Sequence, residues 1–290
     1  MNSIIWDKIR VLVTNGCNYR CPFCHNEGQA KDMAVTFMSF EEFKQLVDFL
    51  KDQPISEFNI SGGEPFLHKD IVKMIVLACS TLKCDISCAT NLSLINDAAI
   101  RELSDTRVKF NIQFPYVSES LFAKSTGTGS LPRILDKINM VKSSGIEIGL
   151  NSVIQTSDKH HIVDLIEFAL QSELPLKLLP QLGSIESVDY KSWVYPILSE
   201  YAIEKKDKGT GAIKWIIQKD NNRTSVLYID SPCFSHNISI CRSFGEIRIH
   251  PGLYAQTCIE KDNLVRLEIE KGSNFVLNQF KQLWNNFTKC

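Results

Sequence analysis

The chain has 290 residues, 44% of them apolar and 22% charged, with a formal net charge of −1 at pH 7; that length admits one large domain or a domain with an appendage, and the charge balance excludes a bulk field that would attract nucleic acid or an anionic membrane surface. Charges at Asp7, Lys8 and Arg10 interrupt the apolar run a secretory signal needs. No later stretch offers about 18 uninterrupted apolar residues, so no membrane partner, no transmembrane helix and a cytoplasmic location are expected.

In chain order, Ile9 to Thr14 is a β-rich run closed by the turn signal Asn15-Gly16, which places Cys17 on the loop at a strand's C-terminal end. Ser39-Phe-Glu-Glu42 has the form of a capped helix start, with the helix running to about Leu50. Glu57 to Ser61 is a second strand, broken by Gly62-Gly63. Helical spacing follows over Asp70–Leu82, a strand over Cys84–Cys88, a helix over Asp97–Leu103 and a strand over Val108–Phe114. A helix over Leu131–Ser143, a strand over Ile146–Ile154, a helix over His160–Leu170 and a strand over Leu176–Leu182 complete the alternation.

Strands alternating with helices across residues 9–182 predict a parallel α/β sheet, and six units predict an open, partial (β/α)6 TIM-like barrel rather than a closed one. Beyond residue 183 the rhythm changes. Trp193–Glu204 reads as a helix and Lys205–Gly211 as a solvated loop. Ala212–Gln218 and Ser225–Ile229 read as a hairpin, and two short strands flank Pro251-Gly252. Leu277, Phe280, Trp284 and Phe287 give a closing helix one apolar face. The expected organisation is a barrel over residues 1–182 and a small cysteine-bearing α+β domain over 183–290.

Ten cysteines in a reducing compartment point to metal binding or catalysis rather than to disulfides. Cys17-Asn-Tyr-Arg-Cys21-Pro-Phe-Cys24 sets three on one short loop with the spacing C-x3-C-x2-C. Three thiolates suit a cubane cluster with one iron left open. Structural zinc, the rival, wants four ligands, and His25 is the available fourth. Cys79, Cys84 and Cys88, on an apolar helix face and a strand, read as buried structural thiols.

The loop Cys17–Cys24 after the first strand, Ser61-Gly62-Gly63-Glu64-Pro65 after the second and Thr90-Asn91 after the third together resemble the radical S-adenosylmethionine (SAM) superfamily. The resemblance implies a [4Fe–4S] cluster on Cys17, Cys21 and Cys24, whose open iron takes the amine and carboxylate of SAM. One electron from the cluster then cleaves SAM to a 5′-deoxyadenosyl radical, so a low-potential electron donor such as flavodoxin or ferredoxin is also implied. It further implies that Ser61, Gly62, Gly63, Glu64 and Pro65 form the segment receiving the SAM amine. Thr90 and Asn91 belong to the same site, Phe23 would lie beside the adenine, and Gln113 and Asn151 would make further SAM contacts.

Within the superfamily the chain resembles the molybdenum-cofactor GTP cyclase (MoaA-like) group, through Ile9–Thr14, Gly127-Thr-Gly129 and Asn151-Ser-Val153. That likeness implies a second, auxiliary cluster in a SPASM/twitch-like C-terminal region. Cys233, Cys241 and Cys258 are the counterparts of its ligands, and Gly245–Gly252 resembles the strand and turn before the last of them. Cys290 is open between a fourth ligand, a hydrogen-atom donor and an inert terminal thiol. The spacing of the second cysteine set departs from the group's pattern. Asn59, Ala89, Gly149 and Glu246 stand where the cyclases place basic or hydroxyl residues, while Arg10 and Arg248 remain to bind a phosphate or carboxylate.

The expectation is therefore a radical SAM enzyme acting on a small polar metabolite other than GTP, such as a nucleotide, sugar or aminocyclitol, with cyclisation, oxidation or epimerisation as the outcome. A maturase of ribosomal peptides is the alternative, although no leader-peptide-binding module is expected ahead of the first strand. A glycyl-radical activase, suggested by Cys24-His25-Asn26, and a non-catalytic zinc protein are the remaining alternatives.

Overall fold

A computed structural model describes residues 6–24, 34–259 and 264–289; His25, Asn26 and Cys290, singled out above, lie outside the described residues. The first part of the chain runs β1 (Lys8–Leu12), α1 (Phe40–Leu50), β2 (Glu57–Ser61), α2 (Ile71–Thr81), β3 (Asp85–Thr90), α3 (Asp97–Ser104), β4 (Lys109–Gln113), α4 (Glu119–Thr126), α5 (Leu131–Ser143), β5 (Glu147–Ile154), α6 (Lys159–Ser172) and β6 (Leu176–Pro180). Strands β1 to β6 pair in sequence order and in parallel, as expected for an open barrel. Helix α1 starts at a complete capping box: the Glu42 backbone N–H donates to Ser39 Oγ at 3.2 Å and the Ser39 N–H donates to the Glu42 carboxylate at 2.6 Å.

The later residues supply α7 (Tyr190–Tyr201), β7 (Ala202–Asp207), β8 (Ala212–Lys219), β9 (Asn222–Ile229), α8 (Ile238–Ser243), β10 (Glu246–His250), β11 (Tyr254–Gln256), β12 (Val265–Arg266) and α9 (Ser273–Asn286). Their strands extend the same sheet at both edges. Strand β10 pairs in parallel with β1, and β9 in parallel with β6; antiparallel partners continue outward from each. The result is a twelve-stranded sheet in the order β12-β11-β10-β1-β2-β3-β4-β5-β6-β9-β8-β7, open at both ends.

Three local differences from the sequence reading have physical causes. Helix α4 was not expected; its sequence Glu-Ser-Leu-Phe-Ala-Lys-Ser-Thr buries Phe122 alone among its large apolar residues, too little for a periodic signal. The helix expected over 193–204 lies at 190–201, and Ala202–Asp207 is an edge strand rather than helix end and loop. Its run Ile-Glu-Lys-Lys-Asp is exposed, and charged edges read locally as loops. The hairpin strands β8 and β9 are also longer, because the left-handed Asp220 (φ 52°) permits a tight turn.

Alternation along the strands divides the sheet into two faces. Ile9, Val11, Phe58, Ile60, Cys88, Phe110, Ile112, Leu150 and Leu178 pack into the core under the helices. Helix α9 joins that core, with Phe280 set edge-on to Trp6 (4.7 Å between centroids) and to Phe49 (5.9 Å). The residues between them, including Lys8, Arg10, Asn59, Ser87, Lys109, Asn111 and Lys177, point the other way, and the barrel interior is polar.

Candidate active site

Backbone contacts fix the start of the loop after β1. Gly63 N donates to Thr14 O and Glu64 N to Gly16 O, both at 2.8 Å, so the turn after β2 lies flat against the start of the cysteine loop. Two glycines are required there. Gly62 sits at φ +139°, and a Cβ on it would approach Thr14 O to 2.4 Å; a Cβ on Gly63 would approach Gly16 O to 1.9 Å. The far side of the loop is tied to the end of α4, where Arg20 N donates to Thr126 O at 2.8 Å and Thr128 Oγ1 to Asn18 O at 2.9 Å.

Glu64 lies behind the cavity wall, fully buried, and its carboxylate is committed to three donors: Thr90 Oγ1 at 2.7 Å, Asn91 N at 2.7 Å and Phe66 N at 3.0 Å. Burial pushes its pKa up to about 7 against the lowering effect of those bonds. Glu64 thus staples the Gly-Gly turn after β2 to the Thr90-Asn91 turn after β3. Asn91 continues the chain of contacts, with Nδ2 donating to Asn18 Oδ1 at 2.9 Å and approaching Cys17 Sγ at 3.9 Å.

These loops surround a cavity of about 240 Å³ at the C-terminal ends of the strands. Cys17, Cys21 and Cys24 line one wall together with Tyr19 and Phe23; Ser61, Gly62, Gly63, Thr90, Asn91, Gln113 and Asn151 line the others; Arg10 and Asn111 lie at the bottom. Burial raises the Cys17 thiol and raises Cys21 to about 12, so both favour the neutral thiol. Two polar side-chain atoms facing this space are buried without a partner, Gln113 Nε2 and Asn151 Oδ1, a donor and an acceptor on adjacent strands. A polar ligand in the cavity would satisfy both.

The three N-terminal cysteines, Phe23, Ser61, Gly62, Gly63, Thr90, Asn91, Gln113, Asn151 and Arg10 line one cavity. Glu64 supports that wall from behind, Pro65 begins the short 3₁₀ turn Pro65–Leu67, and Arg248 stands beside Arg10 on the neighbouring strand. Cys233 lies on a 3₁₀ turn (Pro232–Ser235), Cys241 on α8 and Cys258 after β11. Among the described residues, no three His, Cys, Asp or Glu side chains converge tightly enough to hold a single metal ion. Cys84 and Cys88 are buried thiols, while Cys79, expected to be buried, is half-buried on the edge of α2.

Below the cavity the barrel is filled by charge. Arg10 grips Glu246 with Nε and Nη2 at 3.2 and 3.1 Å, and Arg248 Nη2 reaches the same carboxylate at 2.7 Å. Although burial opposes ionisation, the two guanidinium groups hold the Glu246 carboxyl down at about 2. Arg10 also donates to Asn59 Oδ1, and Asn59 to Ser87 Oγ. On the opposite side Lys177 donates to Asn111 Oδ1 at 3.0 Å, and burial, with Arg10 and Lys109 nearby, lowers its pKa to about 8. Lys177, Asn111 and Tyr19 went unnoticed in the sequence. The available signal was the period-2 placement of polar residues in otherwise apolar strands, Leu-Lys-Leu-Leu over 176–179 and Lys-Phe-Asn-Ile-Gln over 109–113.

A family model for the radical SAM superfamily matches residues 11–169, more than half the chain. The chain belongs to the radical SAM superfamily. Membership makes it an enzyme that uses SAM and implies a [4Fe–4S] cluster. Among curated relatives it is similar to a probable GTP 3′,8-cyclase from Thermococcus kodakarensis, 25% identical over 267 residues (88% of this chain, 85% of the relative). It is similar also to the GTP 3′,8-cyclase of Nautilia profundicola, 25% identical over 265 residues (87% and 80%). Among solved structures, Streptococcus suis SuiB bound to S-adenosylmethionine superposes with a TM-score of 0.75 at 13% identity, covering 97% of this chain and 67% of that one. Native anSMEcpe with bound AdoMet gives 0.69 at 14% identity, covering 98% of this chain and 84% of that one. These two show the radical SAM fold. Among the described residues no helix is long and apolar enough to cross a membrane.

Proposed function

We propose that Cys17, Cys21 and Cys24 hold the cluster, that Gln113 and Asn151 contact SAM, and that the substrate is a small polar metabolite bound toward Arg10, Asn111 and Lys177. When bound, the cluster and SAM supply a 5′-deoxyadenosyl radical able to take a hydrogen atom from a substrate carbon. The protein's part is positional. Glu64 ties two cofactor-end turns together, and the glycines admit close backbone contact. The observation that carries this reading is the meeting of the three cysteines with the unpartnered Gln113 Nε2 and Asn151 Oδ1 in one cavity over a polar floor.

The substrate class is a nucleotide, sugar or aminocyclitol, and cyclisation, oxidation or epimerisation is the outcome. The relatives named GTP 3′,8-cyclase favour a nucleotide. Glu246 argues against GTP itself, because it neutralises the two arginines best placed to receive a polyphosphate. Cys233, Cys241 and Cys258, which flank β10 and its Arg248, are assigned to a second cluster in the 183–290 region.

Anaerobic reconstitution with SAM and dithionite should yield 5′-deoxyadenosine, and Cys21→Ala should abolish it. A Cys21→Ala variant that still cleaves SAM reductively defeats the proposal. About eight irons per chain are expected, falling to about four in Cys258→Ala; about four in the parent chain removes the second cluster.

A further inference from the structure

Beside the active cavity the structure has a larger hollow of about 480 Å³. Its walls are Asn18 and Tyr19 of the cysteine loop, Ser93 and Leu94 after β3, and the segment from Thr128 through the first turns of α5. A space of this size falls among ordinary small-molecule pockets, roughly 300–1,000 Å³. Two observations on its walls point to a ligand. The first is Tyr19, whose side chain is 2% exposed and whose hydroxyl has no hydrogen-bond partner among the described residues. Tyr19 lines both cavities, but a Cβ on Gly129 would lie 3.0 Å from Tyr19 Cζ, so the hydroxyl end sits at the Gly129 wall, which belongs to this hollow and not to the active cavity. The Ser93 hydroxyl beside it is already engaged, donating to Asn91 Oδ1 at 2.6 Å and accepting from Asn18 Nδ2 at 2.8 Å, without a well-aligned bond to Tyr19. A buried phenol O–H left unmatched is costly, and an acceptor in the hollow would match it.

The second observation is charge. Arg133 and Lys137 stand one turn apart on α5 and line the hollow together, and neither makes an ion pair among the described residues. Asp136, the carboxylate of the lining, is solvent-exposed and offsets only one of the two cations. The helix end adds little of its own, since Leu131 N already donates to Glu119 Oε2 at 3.0 Å and Pro132 has no N–H. Leu94 and Met140, 39% and 37% exposed, supply an apolar part of the lining. Two unpaired cations, a buried hydroxyl donor and an apolar shelf suit a ligand with one phosphate and a flat or apolar body.

We infer that this hollow is a second ligand site, for a phosphomonoester of mononucleotide size whose phosphate meets Arg133, Lys137 and the Tyr19 hydroxyl and whose body rests on Leu94 and Met140. The site is separate from the substrate position proposed above and does not depend on it.

Calorimetry on the full reconstituted chain tests it with AMP, adenosine and inorganic phosphate as probes. AMP should bind, with adenosine and phosphate alone each weaker by roughly ten-fold or more. Arg133→Gln with Lys137→Gln should weaken AMP binding roughly ten-fold or more and flatten its salt dependence. Tyr19→Phe, which removes only the hydroxyl, should weaken it about three- to ten-fold. Arg10→Gln in the active cavity, and Lys44→Gln with Lys51→Gln on α1, should leave it unchanged. Absence of AMP binding, or equal binding of adenosine or of phosphate alone, would overturn the inference. So would binding that survives the Arg133/Lys137 or Tyr19 changes, or that falls with Arg10→Gln or with the α1 pair. A chain that binds AMP in this pattern yet cleaves no SAM would strike the functional proposal alone.

Discussion

Glu246→Gln tests the charge arrangement below the cavity. Glutamine keeps the length and one acceptor oxygen but removes the charge shared by Arg10 and Arg248, whose nitrogens lie 2.7 to 3.2 Å from the carboxylate. The side chain is only 19% exposed, so solvent screens the cluster weakly. A carboxyl held at about 2 instead of its ordinary 4.5 contributes about 3 kcal/mol, at about 1.4 kcal/mol per pH unit. That agrees with the roughly 3–5 kcal/mol lost when one member of a buried ion pair is removed. Because the folded value is the lower one, the stabilisation is complete above pH 4.5 and is lost as pH falls toward 2. Thermal unfolding at pH 7 should therefore place Glu246→Gln roughly 6–12 °C below the parent chain. The gap should hold down to about pH 5 and narrow below pH 4.5. The same variant should bind inorganic triphosphate more tightly in calorimetry, since Arg10 would no longer be gripped at two nitrogens. Equal unfolding midpoints at pH 7, or a gap that widens on acidification, would refute the reasoning.

Gly63→Ala should cost at least about 2 kcal/mol and weaken SAM binding in equilibrium dialysis, because the new methyl meets the Gly16 backbone at 1.9 Å; Gly145→Ala, at φ +86° with open space around it, should cost only about 1 kcal/mol and leave SAM binding intact. Thr90→Val removes one donor to the buried Glu64 and the acceptor for Leu92 N, and should lower stability by about 1–3 kcal/mol with a matching loss of SAM affinity. Lys177→Met should stabilise the fold at pH 7 by about 1–3 kcal/mol, since an amine lowered from 10.5 to about 8 is costly to keep charged, less the hydrogen bond to Asn111. That gain should close as pH rises from 8 toward 10.5, read by urea unfolding across the range, while turnover of the true substrate is lost.

The cysteine end of the cavity was legible because its residues are local in sequence. Cys17–Cys24, Gly62–Glu64 and Thr90-Asn91 each occupy a few consecutive residues right after a β-rich run, and strand ends are visible in the pattern. The capping box at Ser39 was legible for the same reason. The floor was not. Arg10 and Glu246 are partners across 236 positions, and nothing near Glu246 announces that β10 will pair in parallel with β1. The resemblance marked Glu246 as a departure, yet only the fold turns that departure into an ion cluster. Lys177 was hidden differently: one lysine in an apolar strand reads as a surface residue until the curvature of the sheet turns that face inward.

This contrast carries an argument about how the molecule divides its labour. Around the cysteines, position is fixed by backbone meeting backbone, Gly63 N on Thr14 O and Glu64 N on Gly16 O; a side chain at Gly62 or Gly63 has no room, so this end tolerates almost no change. Under the cavity, position is fixed by side chains on strands whose backbone pairing is indifferent to them: Arg10, Asn59, Ser87, Asn111, Lys177, Glu246 and Arg248 can be exchanged without moving the sheet. Two of the seven, Glu246 and Arg248, come from β10, a strand of the C-terminal third inserted beside β1. A strand more than 200 residues from the cysteines in sequence thus contributes to the charge below the cavity. Exchanging Gly245–Gly252 for a segment in which Glu246 and Arg248 are both replaced by glutamine should change which anions bind while reductive SAM cleavage persists. Loss of SAM cleavage in a folded exchange variant would show that the two ends are not separable.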